Sequence, residues 1–208
     1  MPIDNGRGAE NKRRIRYEWD LIPVLHTHLL NGHPITCCCG DAVTGKYYRF
    51  DAVNRASGVR NVLFAGDGCA RGLLRVEPKI DSLPLFNPLQ TPDGGGRGDS
   101  RRGGGGVSGM APFNAEMYAV IHLVLMCWGR APTGDGPLSK ILGEIRQAPA
   151  EALPAWTAKS VNTVIGKGSR SLSTMLAALP PQDPPLRHFS FPLLTAALQQ
   201  AEVAEVWL

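Results

Sequence analysis

The hydrophobic positions in the C-terminal half of the chain recur every three or four residues, which is the period of an α-helix. Five segments show this period, and proline, glycine or a capping serine bounds most of them. The predicted helices cover 114–128, Pro137 to Ile145, 155–165, a short segment that Ser169 or Ser171 caps before Pro180, and a last segment that Ser190 caps with Pro192 in its first turn. We expect residues 111–208 to pack as an all-α helical bundle.

The middle of the chain has a different pattern. Residues 47–53 alternate aromatic and β-forming residues with polar ones, 54–58 carry turn residues, and 59–65 form a second apolar segment. This arrangement predicts a β-hairpin. The short apolar segment that follows, from Ala70 to Leu74, is predicted to begin a helix after Gly66-Asp67-Gly68-Cys69.

The N-terminal part also shows a helical period. Its apolar residues between Ile15 and Leu30 are spaced by three or four, and Pro23 interrupts them. We predict one broken helix or two short turns there, because proline inside a helix removes a hydrogen bond. Residues 1–12 form a short, polar segment that contains glycine, and we expect this segment to be disordered.

Composition places the 208-residue chain among globular proteins, with 43% hydrophobic and 19% charged residues. The sequence has no apolar run of the roughly 18 to 20 residues that a bilayer span requires, and its basic N-terminus lacks a secretory signal's apolar core. We therefore expect a cytoplasmic protein with no membrane partner. In that reducing compartment five cysteines, three of them adjacent, favour metal binding over disulfides.

Three of the cysteines are predicted to bind a metal ion. Cys37 and Cys39 stand in a Cys-x-Cys-Gly turn that lets both thiolates face one ion, and Gly40 relaxes the backbone of the turn. Cys69 follows at a helix start, where free backbone N–H groups favour the thiolate form that zinc prefers. A turn, a hairpin and a helix start in this order form the layout of a treble-clef zinc site.

The fourth ligand is open in the sequence. His33 is the first choice, because it lies just before the cysteines, and the alternatives are Cys38, His28 and Asp67. A closed site with four protein ligands is structural, whereas three ligands and a water suit catalysis. We favour a structural Zn²⁺.

The segment 33–74 resembles a small zinc-finger-like segment of uncharacterised proteins from phages and other mobile elements. The resemblance lies in the Cys-x-Cys-Gly turn, the aromatic strand, Val53-Asn54-Arg55 with Gly58, and the Gly-flanked Cys69 before a helix. It implies a metal-binding fold and a mobile-element or host-defence setting. It covers about forty residues and implies no reaction.

Together these elements predict an α+β protein, in which a Gly-rich linker joins a small zinc-clipped hairpin module to the helical bundle. The predicted parts are a basic N-terminal arm and helix at 1–32, the zinc-binding module at 33–76, a Pro/Gly-rich linker at 77–110, and the helical domain at 111–208.

The positive charge lies mainly beside the cysteines. Residues 1–92 carry 12 Lys and Arg against 9 Asp and Glu, while 111–208 carry 7 against 7. Clustered cations next to aromatic residues suit phosphate contact and base stacking, although a solvated arm has the same composition. The candidate nucleic-acid-binding residues of the N-terminal arm are Lys12, Arg13, Arg14 and Arg16, which Tyr17 and Trp19 follow. Those of the Gly-rich linker are Arg97, Arg101 and Arg102. The alternative is that this linker is only a flexible tether.

No catalytic motif is present, so we expect a protein that is not an enzyme and has no catalytic residue. The favoured hypothesis is a zinc-containing nucleic-acid-binding subunit of a nucleoprotein complex, such as a small subunit of an RNA-guided CRISPR-type effector in a mobile element or defence system. Its partners would be nucleic acid and other protein subunits. The alternative is a phage-encoded inhibitor or adaptor that binds protein and uses zinc only for its fold.

Overall fold

The chain forms two compact units, Met1–Leu85 and Phe86–Leu208. In this computed structural model the described residues are 3, 6–32, 34–74, 86–90, 109–128 and 136–208.

The first unit combines a three-stranded antiparallel sheet with two helices. Its elements are α1 (Gly8–Glu18), β1 (Trp19–His28), β2 (Lys46–Asn54), β3 (Arg60–Gly66) and α2 (Asp67–Leu74). The strand order is β1-β2-β3, so β1 and β3 are the edge strands. Helix α1 contacts β1 and α2, and α2 contacts β2 and β3. Because β1 pairs with β2, the segment that the sequence placed in an N-terminal arm is part of the same sheet as the hairpin.

The helical prediction for residues 15–30 is wrong over most of its length. Helix α1 ends at Glu18, and residues 19–28 form a strand. Strand β1 tolerates Pro23 because it is an edge strand whose register shifts between Pro23 and Leu25. Proline has no N–H to donate to a neighbouring strand, and such edge positions are where sheets accept it. The predicted disorder of residues 1–12 is also wrong for residues 8–12, which belong to α1. This helix buries mainly Ile15 and owes its place to contacts with β1 and α2.

The predicted hairpin is confirmed. Strands β2 and β3 pair antiparallel from Tyr47 opposite Gly66 to Val53 opposite Arg60. The Asn54 side chain closes the turn, because its Oδ1 accepts hydrogen bonds from the N–H groups of Ala56 and Ser57 at 3.1 and 2.9 Å. Gly58 follows with φ +68°, a left-handed conformation that favours glycine.

The second unit is helical, as predicted. Its helices are α3 (Pro112–Trp128), α4 (Pro137–Gln147), α5 (Trp156–Gly166), α6 (Leu172–Ala177) and α7 (Pro192–Gln200). Helix α3 is buried over most of its length and contacts the other four. No helix among the described residues has both the length and the apolar character to cross a bilayer.

The caps of α6 and α7 differ from each other. Ser171 caps α6 as predicted, with its Oγ accepting the Thr174 N–H at 3.1 Å. The predicted Ser190 cap of α7 is wrong, because Phe191 occupies the N-cap and makes no side-chain bond. Instead the carboxylate of Glu116 on α3 accepts the Leu193 and Leu194 N–H groups, each at 3.0 Å at the closer oxygen.

Two buried asparagines hold the loops of this unit. Asn114 donates to the Pro149 and Glu151 carbonyls at 3.0 and 2.7 Å and accepts the Leu153 N–H at 2.8 Å. Asn162 holds the C-terminal tail in the same way. Its side-chain amide donates to the Glu205 carbonyl and accepts the Trp207 N–H. Both amides are therefore satisfied inside the core, as buried polar groups require.

Part of the predicted linker belongs to the second unit. Leu89 pairs with Leu186 in an isolated antiparallel bridge, and Phe86 is buried. Residues 77–85 and 91–108 of the predicted linker lie outside the described residues.

The cap formed by Glu116 generates a pH prediction. Burial raises the pKa of Glu116 even though the two N–H bonds lower it, so the folded protein holds this proton more tightly than the unfolded chain. The free energy of unfolding of the second unit should therefore fall as pH rises from the ordinary carboxyl pKa through the raised one. Glu116→Gln should remove that slope, and Glu116→Ala should cost about 1–2 kcal/mol because two helix N–H groups lose their acceptor.

The measurement is urea denaturation of the wild type and both variants from about pH 4 to about pH 7. Hydrogen exchange of α7 identifies the unit that responds. An unchanged slope in Glu116→Gln would assign the pH dependence to another group.

Candidate metal centre

The three adjacent cysteines form a tight turn, which we call the cysteine turn (residues 36–42). Thr36 and Ala42 form an antiparallel bridge at its two ends. Within it the Cys37 N–H donates to the Asp41 carbonyl and the Gly40 N–H donates to the Cys37 carbonyl, both at 2.8 Å. Gly40 has φ +87°, so glycine allows the chain to reverse at this point.

The cysteine turn is docked on the free edge of the sheet. The Cys38 N–H donates to the Phe64 carbonyl of β3 at 2.8 Å. Strand β3 runs directly into α2, in which Cys69 is the third residue. This contact and the hydrogen bond from the Gly66 N–H to the Cys37 sulfur hold the cysteine turn beside Cys69, although the two lie about thirty residues apart in the sequence.

The sulfur atoms of Cys37, Cys38 and Cys69 all lie within 4.8 Å of one another. The Cys37 and Cys38 sulfurs are 4.0 Å apart. A tetrahedral Zn²⁺ with bonds of about 2.3 Å holds its sulfur ligands about 3.8 Å apart, so small side-chain shifts would admit the ion. Cys37, Cys38 and Cys39 line a surface cleft of about 480 Å³, which would give an ion a path of entry.

The electrostatics of this cluster favour a cation. Burial would raise the pKa of the Cys37 thiol, but hydrogen bonds from the Cys39 and Gly66 N–H groups more than offset it, and the net pKa is lowered. The pKa of Cys38 is raised by burial and by the charges of the neighbouring thiolates at positions 37 and 69. The Cys37 thiol therefore ionises more readily than the Cys38 thiol, and a divalent cation would offset the repulsion between thiolates.

Cys39 lies beside this trio. Its Sγ donates to Asp41 Oδ2 at 3.3 Å, and it also interacts with the thiols of Cys37 and Cys69. Burial, together with its neighbours, raises the pKa of Cys39 to about 12. The sequence assigned Cys37, Cys39 and Cys69 to the metal, whereas the closest trio contains Cys38 in place of Cys39. The signal was present, because three adjacent cysteines offer three thiols to one ion.

The other predicted ligands lie away from this cluster or outside the described residues. His33 is not among the described residues. His28 is half-buried on β1, and its pKa is lowered by burial and then by Lys46. Asp67 faces His26, with 3.7 Å between Oδ1 and Nε2. Cys127, in the second unit, is a packed thiol whose pKa burial raises to about 11.

The predicted nucleic-acid-binding residues fall into two groups. Lys12, Arg13, Arg14 and Arg16 all lie on α1, where Arg13 and Arg14 are exposed and Lys12 and Arg16 are half-buried. Arg97, Arg101 and Arg102 lie outside the described residues.

The fold and site define an α+β protein whose N-terminal unit carries a cysteine cluster compatible with zinc. The chain belongs to the family described as uncharacterised conserved protein UCP028583, which it matches over residues 4–207. This match spans both units. No curated protein and no solved structure matches the chain.

The sulfur geometry predicts that the protein binds zinc in a one-to-one ratio. Serine at position 37, 38 or 69 should abolish stoichiometric zinc, because an alcohol does not replace a thiolate ligand. Cys127→Ser is the matched control and should leave the metal content unchanged. Native mass spectrometry of protein purified without chelator measures the ratio directly. Absence of metal from the wild type would refute the site.

Proposed function

We propose that a structural Zn²⁺ bound by Cys37, Cys38, Cys69 and the adjacent Cys39 holds the first unit together, and that this unit presents helix α1 to nucleic acid. The observation that carries the proposal is the convergence of thiols from the cysteine turn and α2. The order of cysteine turn, hairpin and helix also supports a treble-clef interpretation of the segment. Four thiolates would close the coordination sphere, which suits a structural ion.

Helix α1 is tied to the cysteine turn at its N-terminal end. The Gly6 N–H donates to the Cys38 carbonyl at 2.8 Å, and the Arg7 guanidinium donates to the Asp41 carboxylate. Gly6 packs so closely that a Cβ there would lie 2.8 Å from the Cys38 sulfur. The position of α1 therefore depends on the conformation of the cysteine turn.

Helix α1 is also tied to α2, which carries Cys69. A Cβ built on Gly72 would lie 2.7 Å from the Lys12 side chain, so the glycine leaves room for the lysine stem across α2. Loss of the ion would loosen both supports of α1, the cysteine turn and α2.

The outer face of α1 has the chemistry of a nucleic-acid contact. Arg13, Arg16 and Tyr17 are spaced by three and four residues and share one face, opposite the buried Ile15. The Tyr17 side chain is 82% exposed. Cations beside an open aromatic ring provide phosphate contacts and a stacking surface for a single-stranded base.

The dependence of α1 on the ion can be measured by hydrogen exchange. Chelation of zinc should raise the amide exchange rates of α1 and of the cysteine turn by about tenfold or more, because both lose their anchor. Helix α3 in the second unit is the internal control and should keep its protection. Unchanged exchange in α1 would separate the helix from the metal site.

Nucleic-acid binding predicts a steep salt dependence. For a labelled single-stranded oligonucleotide, log affinity should fall linearly with log salt, and Arg13→Gln with Arg16→Gln should flatten the slope by about one unit per lost contact. Tyr17→Ala should weaken binding by about 1–3 kcal/mol with little change of slope, since stacking releases no counterions. Fluorescence anisotropy over a salt series measures both effects.

Lys46→Gln is the matched control for charge. Lys46 is exposed and pairs with His28, at the opposite end of β1 from the junction with α1. Its loss changes the net charge by the same amount as each single arginine substitution and should leave the slope unchanged. Equal effects of all the charge changes, or no retention of DNA or RNA, would contradict the proposal and favour the protein-binding alternative.

A further inference from the structure

The second unit contains a cavity that none of the preceding functions uses. It has a volume of about 430 Å³ and lies between α6, α7, the segment 186–191 and the last residue of the tail. Leucine and phenylalanine residues make up much of its lining, together with Ser173, Ser190 and Thr195. Apolar walls with a few polar groups are typical of small-molecule sites.

Arg187 stands in this wall beside His188, and no Asp or Glu side chain of the described residues lines it. Its guanidinium lies 5.2 Å from the ring centre of Phe189 and 6.0 Å from that of Phe86. Among the described residues, the buried Nε and Nη2 atoms have no hydrogen-bond partner and no Asp or Glu side chain forms an ion pair with Arg187. Burial lowers the pKa of this guanidinium. Aromatic faces compensate a cation only in part, so a bound anion would stabilise this guanidinium further.

We propose that this cavity binds a small organic carboxylate, whose charged group pairs with Arg187 and whose apolar part lies against Phe189 and Phe191. A guanidinium matches a carboxylate in a bidentate fork, and one arginine balances one negative charge. Inorganic phosphate carries more charge and more acceptor oxygens than one arginine and a few hydroxyls satisfy. The two phenylalanine rings are nearly parallel, with an angle of 12°, and offer a flat surface to an aromatic ligand.

Benzoate and benzamide form a matched pair of probes for the full chain, because they share size and ring and differ in charge. Benzoate should bind with a Kd of about 1 mM or below, and benzamide at least about tenfold more weakly. Inorganic phosphate should not compete. Isothermal titration calorimetry gives the affinities, and chemical shifts of the phenylalanine rings locate the ligand.

Three variants separate binding from folding. Arg187→Met should abolish benzoate binding while leaving the free protein at least as stable, because it removes an uncompensated cation and keeps the packing. Arg187→Lys should bind more weakly than the wild type by about tenfold, since the fork is lost. Lys140→Gln, an exposed change of equal charge on α4, should bind as the wild type does.

Equal affinity for the two probes, or benzoate binding retained by Arg187→Met, would overturn the proposal. No benzoate binding to the wild type, together with a loss of stability in Arg187→Met, would also overturn it. That second result would assign the arginine to packing on the aromatic rings.

Discussion

The first unit depends on one contact, the docking of the cysteine turn on the free edge of β3 through the Cys38 N–H and the Phe64 carbonyl. It satisfies a backbone acceptor on an edge strand, where an unpaired carbonyl invites pairing with another chain. It also brings the thiols of the turn to Cys69, because β3 continues without a loop into α2. Through Gly6 and Arg7 the same turn holds the start of α1.

Much of the architecture was predictable from the sequence, because local signals agree with the final packing. The helices of the second unit follow a clear period, and Ser171 is a strong local cap. The hairpin was predictable for the same reason, since Asn54 and Gly58 fix the turn by their own chemistry. The clustering of cysteines was also foreseeable from their adjacency and from Cys69 at a helix start.

The remaining features depend on partners distant in the sequence. The spacing of Trp19, Ile22 and Leu25 by three residues favours a helix, but pairing with β2 makes the segment a strand, in which Ile22 is exposed. The choice of Cys38 over Cys39 for the closest trio depends on how the turn meets β3, which no local pattern encodes. The cap of α7 comes from Glu116, which lies 76 positions before Pro192 in the sequence. The sequence around Ser190 therefore does not indicate the capping residue.

The buried asparagines of the second unit and the clustered thiols of the first are satisfied in different ways. In the second unit the Asn114 side chain makes three hydrogen bonds and the Asn162 side chain makes two, all with backbone groups of the same unit. In the first unit the thiols of Cys37, Cys38 and Cys69 face one another, and a thiol is a poor hydrogen-bond partner for another thiol. Deprotonation makes them strong ligands but adds like charges. A divalent cation among them would satisfy both requirements, and the cluster is compatible with zinc.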